Sequence, residues 1–338
     1  MRAVVIDGPG QVAVREVPPP SLGPGDVLVR VGAAGVCGTD VHIFRGEFEP
    51  RFPLIPGHEF AGVVEAVGEA VRSVRPGQAV AADPNVYCEQ CHYCRQNKQN
   101  FCENWQAIGV TRAGAFAEYV AVPEPCVFPL PDGMSAAEGA FAEPLACVVY
   151  GQQRARPPLG GSVLVLGAGP IGLLHVQLAR RNGAGLVVAV DVRPDRLRQA
   201  LALGADHAFE AGERMEARLR QVAPRGFDLV VEATGVPAVV EEAVRYVQND
   251  GTLLIFGVSP NDSRIRLSPY EVYRRDLRIV GSFSLRKTFR AALDLLAARA
   301  VAVEPLIGQR IGLDEFPAAL RAMAEGRAPG KILVLPNG

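Results

Sequence analysis

The sequence predicts an α/β protein in two parts: a β-rich, barrel- or sandwich-like first part, then a doubly wound parallel sheet. Two observations carry this. From residue 3 to about residue 127, valine-rich runs such as GDVLVRV, EFAGVVEAVG, PGQAVAA and FAEYVAV are short and punctuated by Gly and Pro, the pattern of brief strands joined by turns. After about residue 135, apolar strand-like runs alternate with helical stretches, which requires parallel strands linked by right-handed crossovers.

The elements of the second part follow in order. SVLVLG (162–167) is a buried strand, PIGLLHVQLARRNG (170–183) a helix ended by Gly183, and LVVAVD (186–191) the next strand. RPDRLRQALALGA (193–205) reads as a helix, FDLVVEATG (227–235) as a strand, and PAVVEEAVRYVQNDG (237–251) as a helix with a turn before TLLIFG. Two further helical stretches, about 288–299 and 313–326, and a last strand, KILVLP (331–336), close the chain.

A length of 338 residues suffices for about two domains, each with its own core. The net charge of −1 gives no reason to expect nucleic acid or an anionic membrane as partner. The most apolar window, 161–179, is broken at its centre by glycines and a proline, so a strand–turn–helix explains it better than a membrane span. The first residues carry charges throughout and lack the apolar core of an export signal. Seven cysteines, four of them in one cluster, then favour metal ligation over disulfides, and the expected compartment is the reducing cytoplasm.

Gly167-Ala168-Gly169-Pro170-Ile171-Gly172 is a G-x-G-x-x-G that directly follows a strand and opens a helix. Gly167 permits the tight turn, Gly169 admits a pyrophosphate close to the backbone, and Gly172 allows close helix–strand packing. Asp191, 19 residues after Gly172 at the end of the next strand, can accept from an adenosine ribose hydroxyl. That carboxylate would repel a 2′-phosphate and so favours NAD over NADP, while the nearby Arg193 leaves NADP open.

Cys88, Cys91, Cys94 and Cys102 follow the spacing C-x2-C-x2-C-x7-C. Four thiolates close a tetrahedral shell around zinc and leave no place for substrate, so the expected role is structural. On spacing alone an iron–sulfur cluster or a nucleic-acid-binding zinc ribbon also fits, and His92 inside the cluster reads as a solvated side chain. A second set is dispersed. Cys37 stands in GVCGTDVH and His58-Glu59 in PGHEFAG, both glycine-flanked polar spots in apolar surroundings, and Glu143 is embedded in AFAEPLACV, where a carboxylate is costly without a cation.

At these residues the sequence closely resembles the zinc-containing medium-chain alcohol/polyol dehydrogenases over essentially the whole chain: GHEFAGVVEAVG, CGTDVH, the four-cysteine lobe, EPLA and VLGAGPIG occur in the family's order. The resemblance implies a GroES-like catalytic domain, residues 1–148 and 286–338 with a structural-zinc lobe at about 84–105, interrupted by a Rossmann-type domain at 149–285. It implies two zinc ions per chain. One is catalytic, on Cys37, His58 and Glu143 with an open fourth position and with Glu59 close by or exchanging as a ligand; the other is structural, on the four clustered cysteines. Thr39 and His42 would relay the proton. Arg196 would lie near the adenosine, Phe256, Gly257, Ser282 and Phe283 at the nicotinamide end, and Thr234 in the same cleft. Asp40 would be buried near the zinc with Lys331 as partner. Relatives assemble as dimers or tetramers, and a homotetramer is the expectation.

The implied reaction moves hydride between a secondary alcohol or polyol and NAD. Glu143 points to the sorbitol dehydrogenase branch, where other alcohol dehydrogenases place cysteine and threonine dehydrogenases commonly aspartate. Ser284-Leu285 stand where sorbitol dehydrogenases often carry Arg-Tyr, so the substrate stays open. The alternatives are an L-threonine 3-dehydrogenase-like or general alcohol dehydrogenase activity, and a non-enzymatic structural or RNA-associated use of the fold. Phe44, Phe48, Trp105 and Ile108 read equally as substrate-cleft lining or as core, and Arg286-Lys287 as a phosphate contact or as solvated side chains.

Overall fold

The computed structural model describes residues 1–48 and 51–338, in two compact units. The first comprises Met1–Pro144, Phe289–Ala297 and Val303–Gly338; the second comprises Leu145–Thr288 and Ala298–Ala302. Ala302 joins the second unit through a reciprocal pair of bonds with the Gln177 side chain, at 3.0 and 2.8 Å.

Six parallel strands form the second unit's sheet, in the order His207–Glu210, Leu186–Asp191, Ser162–Leu166, Phe227–Glu232, Val247–Ile255, Arg278–Gly281. The first strand in sequence is central and the order reverses beside it, which is the Rossmann arrangement. Val163, Leu164, Val165, Val188 and Val230 are almost entirely buried, as expected of a sheet covered on both faces. Register brings the strand ends level: Leu166 stands opposite both Val190 and Glu232, and Glu232 opposite Ile255. Gly167, Asp191, Thr234 and Phe256 therefore gather at the carboxyl ends of the central strands.

The helix expected over 237–251 is shorter. It runs Pro237–Ala243, tightens into a 3-10 turn at Val244–Tyr246, and gives way at Val247 to a strand. Val247 pairs with Phe227, and this long-range pairing of a β-branched, buried residue outweighs the local helical pattern. The short strands His207–Glu210 and Ile307–Ile311 have too little apolar periodicity to be read from sequence.

In the first unit a seven-stranded sheet runs Ile307–Ile311, Lys331–Val334, Asp26–Gly35, Glu59–Val67, Ala79–Ala82, Val127–Pro129, with Tyr119–Pro123 also paired to Asp26–Gly35. Its core includes Val29, Val31, Phe60, Val64 and Val122, and the rings of Phe116 and Phe316 pack at 4.5 Å between centroids. Phe316 comes from the tail helix Phe316–Ala324, so the last segment of the chain completes a core begun by the first.

Candidate metal and cofactor sites

Three adjacent strands build the first site. Gly35 lies opposite Glu59 on one side and Leu333 on the other, which places Lys331 and Glu59 on strands flanking the same residue. A Cβ on Gly35 would stand 2.2 Å from Glu59 Oε2 and 2.7 Å from Lys331 Cε, so only glycine leaves room for the two side chains to meet. They form an ion pair there, both buried. Just past Gly35 the chain turns into the helix Gly38–Arg45, capped by Cys37, whose N–H donates to Asp40 Oδ2 at 2.8 Å. Gly57, at φ 100, packs against the backbone of Phe116 and aims His58 at the same spot.

One ligand atom each from Cys37, His58 and Glu59 lies within 4.8 Å of the others. Asp40, His58 and Glu59 are almost fully buried, and Asp40 Oδ1, His58 Nδ1 and Glu59 Oε1 have no hydrogen-bond partner. Asp40 Oδ1 and His58 Nδ1 are 3.8 Å apart, beyond hydrogen-bonding distance. Burial opposes charge on His58, yet Cys37, Asp40 and Glu143 together hold its pKa well above that of an ordinary imidazole. Burial likewise opposes charge on Lys331, and Glu59 with Cys37 raises its pKa nonetheless. Desolvation pushes the Asp40 carboxyl up to about 6 despite His58. A buried excess of anionic groups with unpartnered donor atoms suits a divalent cation, and the sulfur, nitrogen and oxygen donors suit zinc.

The cluster contains Glu59; Glu143 stands outside it, buried in the first turn of the helix Ala142–Ala155, and acts on His58 through its charge. Lys331 is paired with Glu59, not with Asp40 as expected from sequence, because strand register brings Glu59 to Gly35 while Asp40 is committed to capping its helix. Thr39 Oγ1 lies 3.7 Å from Cys37 Sγ. His42 Nδ1 pairs with the Glu47 carboxylate, carried back over the helix end by the left-handed turn at Gly46. Glu47 had no sequence signal beyond its distance from His42. Ile108 is core, Phe44 and Trp105 pack against core clusters, and Phe48 is 37% exposed.

The four sulfurs of Cys88, Cys91, Cys94 and Cys102 also lie within 4.8 Å of one another. A tetrahedron with zinc–sulfur bonds of 2.3 Å has edges of roughly 3.8 Å, so the set fits. The Gln90 amide and its neighbours draw Cys88 down to about 6, whereas burial pushes Cys94 up to about 12. The lobe is tied to its base by a buried relay: Trp105 Nε1 donates to Asn85 Oδ1 at 2.9 Å, and Asn85 donates through its backbone and its amide to Asp83 Oδ1 at 3.0 and 2.8 Å.

In the second unit, Leu166, Gly167, Gly169, Asp191, Arg196 and Thr234 line a cavity of about 380 Å³ that extends to Tyr246. Gly167 has φ 95, and a Cβ on Gly172 would stand 1.8 Å from Gly167 O, so both glycines are sterically required. Pro170 and Ile171 open the helix Pro170–Arg181 beside this turn. Asp191 is buried and braces the turn, accepting from Ala168 N at 2.8 Å and from Arg193 N at 2.9 Å, with the Arg196 guanidinium at 3.5 Å. Phe256 packs edge-on against buried His175 at 4.5 Å, and Gly257 N donates to Glu232 O at 2.9 Å. Ser282 Oγ is buried without a partner, and Phe283 is 51% exposed. Arg286 lies over the Tyr150 ring at 5.1 Å.

Residues 23–132 match the alcohol dehydrogenase GroES-like domain and residues 170–298 the zinc-binding dehydrogenase family. D-arabinitol dehydrogenase 1 of Uromyces fabae is 35% identical over 342 residues, covering 100% of this chain and 97% of that protein. D-altritol 5-dehydrogenase of Agrobacterium fabrum is 37% identical over 321 residues, 94% of each. Among solved structures, a Sinorhizobium meliloti 1021 protein assigned as a zinc-binding dehydrogenase and bound to NADP superposes with a TM-score of 0.93 at 38% identity, over 99% of both chains.

Proposed function

From the premise that this chain belongs to the zinc-containing medium-chain alcohol dehydrogenase family, we propose that it oxidises a secondary alcohol of a polyol, a sugar alcohol or diol, with NAD as hydride acceptor. The chain is an oxidoreductase acting on CH–OH donors. The convergence of Cys37 with the adjacent pair His58-Glu59, two segments distant in sequence, carries the reading, because that mixed donor set suits a metal centre made for chemistry, whereas the four equal thiolates of the lobe make a closed, structural one.

When bound, zinc supplies the Lewis acidity that lowers an alcohol's pKa, and the nicotinamide supplies the hydride acceptor. Cys37, His58 and a carboxylate would hold the metal, with Glu143 and Glu59 the two candidates for that place. Lys331 balances the charge of Glu59 and keeps one of its oxygens engaged. Thr39 Oγ1, beside the Cys37 sulfur, would accept the substrate hydroxyl proton only while giving up its own hydroxyl proton toward His42, so that it relays and does not store the charge. His42, its ring oriented by Glu47, is placed to exchange that proton with solvent.

NAD is the proposed cofactor because Asp191 presents a carboxylate at the cavity's adenosine end, beside Gly167 and Gly169. Arg196, Thr234, Phe256, Gly257, Ser282 and Phe283 are proposed to contact the same cofactor. The two relatives named for sugar alcohols support the polyol class. A cytoplasmic homotetramer is the proposed setting; among the described residues no helix is long and apolar enough to cross a membrane.

The test is a panel of sugar alcohols, diols and L-threonine, each with NAD and NADP and zinc-loaded protein, read by the absorbance of the reduced nicotinamide. Turnover with polyols and NAD is expected. Turnover of L-threonine alone would replace the polyol reading, and no cofactor reduction with any member would sink the reading as a whole.

A further inference from the structure

We propose that Glu232 positions the nicotinamide cofactor by locking the turn at Thr234, which lines its cavity, to the neighbouring turn at Phe256 and Gly257; the proposal rests on the dehydrogenase reading above. Glu232 ends the strand Phe227–Glu232 and is completely buried. Its Oε1 accepts from Thr234 N at 2.7 Å, from Gly235 N at 3.0 Å and from the Thr234 hydroxyl. Its main-chain oxygen accepts from Phe256 N at 3.0 Å and Gly257 N at 2.9 Å. Five donors from two separate turns thus converge on one residue.

The two turns are pressed against each other, and the first of them, through Thr234, against the glycine turn. A Cβ on Gly257 would stand 2.1 Å from Gly235 N and 2.9 Å from Glu232 Oε2. A Cβ on Gly167 would stand 2.7 Å from Thr234 Cγ2. Glu232 holds Thr234, and the methyl group of Thr234 rests on the first glycine of the G-x-G-x-x-G turn. Movement of the carboxylate would therefore reach the cavity wall at Gly167 and Thr234 directly.

The choice of a carboxylate here is not explained by stability. Glu232 Oε2 is buried with no hydrogen-bond partner, and no Lys, Arg or His among the described residues lies within ion-pair distance of the group. Burying an uncompensated charge is costly, and a neutral side chain of the same shape commonly does as well or better. What the charge adds is grip: hydrogen bonds to an ionised acceptor are about twice as strong as neutral ones. That grip falls on a cofactor-bordering turn, and a cost borne at such a place marks a positioning role.

The experiment compares zinc-loaded wild type with Glu232→Gln and Thr234→Val, measuring NADH dissociation constants, steady-state kinetics and the thermal midpoint without cofactor. Glutamine keeps the acceptor oxygen and removes the charge. NADH binding should weaken about tenfold, with kcat at saturating cofactor within about twofold of wild type and the midpoint unchanged or raised. Thr234→Val, which keeps the methyl group against Gly167 and loses one donor, should weaken binding by a smaller factor. Unchanged NADH binding in Glu232→Gln, or weakening only in step with a lowered midpoint, overturns the proposal. Should Glu232→Gln not fold, Thr234→Val decides, and unchanged binding there overturns it as well. Wild-type protein that binds neither NADH nor NADPH would overturn the underlying dehydrogenase reading, a result distinct from any of these.

Discussion

The ammonium of Lys331 meets the carboxylate of Glu59 across Gly35, with 7% and 1% of the two side chains exposed. One group lies on the last strand of the chain and the other on the strand that follows His58. The pair therefore ties the chain's end to the candidate metal centre, and removing one partner strands the other charge in the interior.

Lys331→Met should cost about 3–5 kcal/mol of stability, the usual effect of halving a buried ion pair. Adding Glu59→Gln should restore most of it. Urea unfolding of the two variants checks this, and additive losses would show that the two groups do not act as a pair.

Cys37→Ser should reduce turnover by about a thousandfold or more, in line with several kcal/mol of lost Lewis-acid stabilisation. The fold should survive. Metal analysis is expected to find the lobe's zinc retained and the other reduced; full activity would contradict the site.

Cys91→Ser should act on the lobe and not on hydride transfer. The thermal midpoint should fall by roughly 5 °C or more as the structural metal is lost. Selective loss of turnover at an undiminished midpoint would move the lobe into the catalytic centre.

Asp83, buried at the base of the lobe, has its carboxyl pushed up to about 6 by desolvation, against the opposing bonds from Asn85. The folded protein thus holds this proton more tightly than the unfolded chain, and stability is lost as pH rises through the window from about 4 to about 6. Asp83→Asn should flatten that slope and gain up to about 3 kcal/mol above it, at about 1.4 kcal/mol per pKa unit. Parallel stability–pH curves for the two proteins would refute the assignment.

Asp191→Ser should shift cofactor preference toward NADP by at least about tenfold in kcat/KM, because a repelling carboxylate goes while Arg193 and Arg196 remain. Both cofactors should bind more weakly, since Asp191 also holds the Ala168 and Arg193 amides. An unchanged NAD-to-NADP ratio would remove Asp191 from the choice of cofactor.

The parts of this protein legible in its sequence are those whose chemistry is local. The glycine turn, the aspartate after the next strand and the four cysteines each declare themselves within a short stretch, because the backbone geometry they need is set by neighbouring residues. The alternation of strands and helices likewise implied the Rossmann sheet, since parallel strands must be joined by crossovers. Cys37, His58 and Glu143 had no spacing rule to join them; their glycine-flanked or apolar surroundings marked each one singly, and only resemblance to a family grouped them into one site.

Tertiary structure alone decided which of the dispersed groups meet. Strand order set Lys331 beside Glu59, and strand pairing at Val247 shortened the helix expected before it. The convergence of two turns made Glu232 more than the end of a strand. In each case the deciding contact joins residues brought together by the sheet and not by the chain, and pairing across a sheet obeys register and burial, which no local pattern of residues encodes.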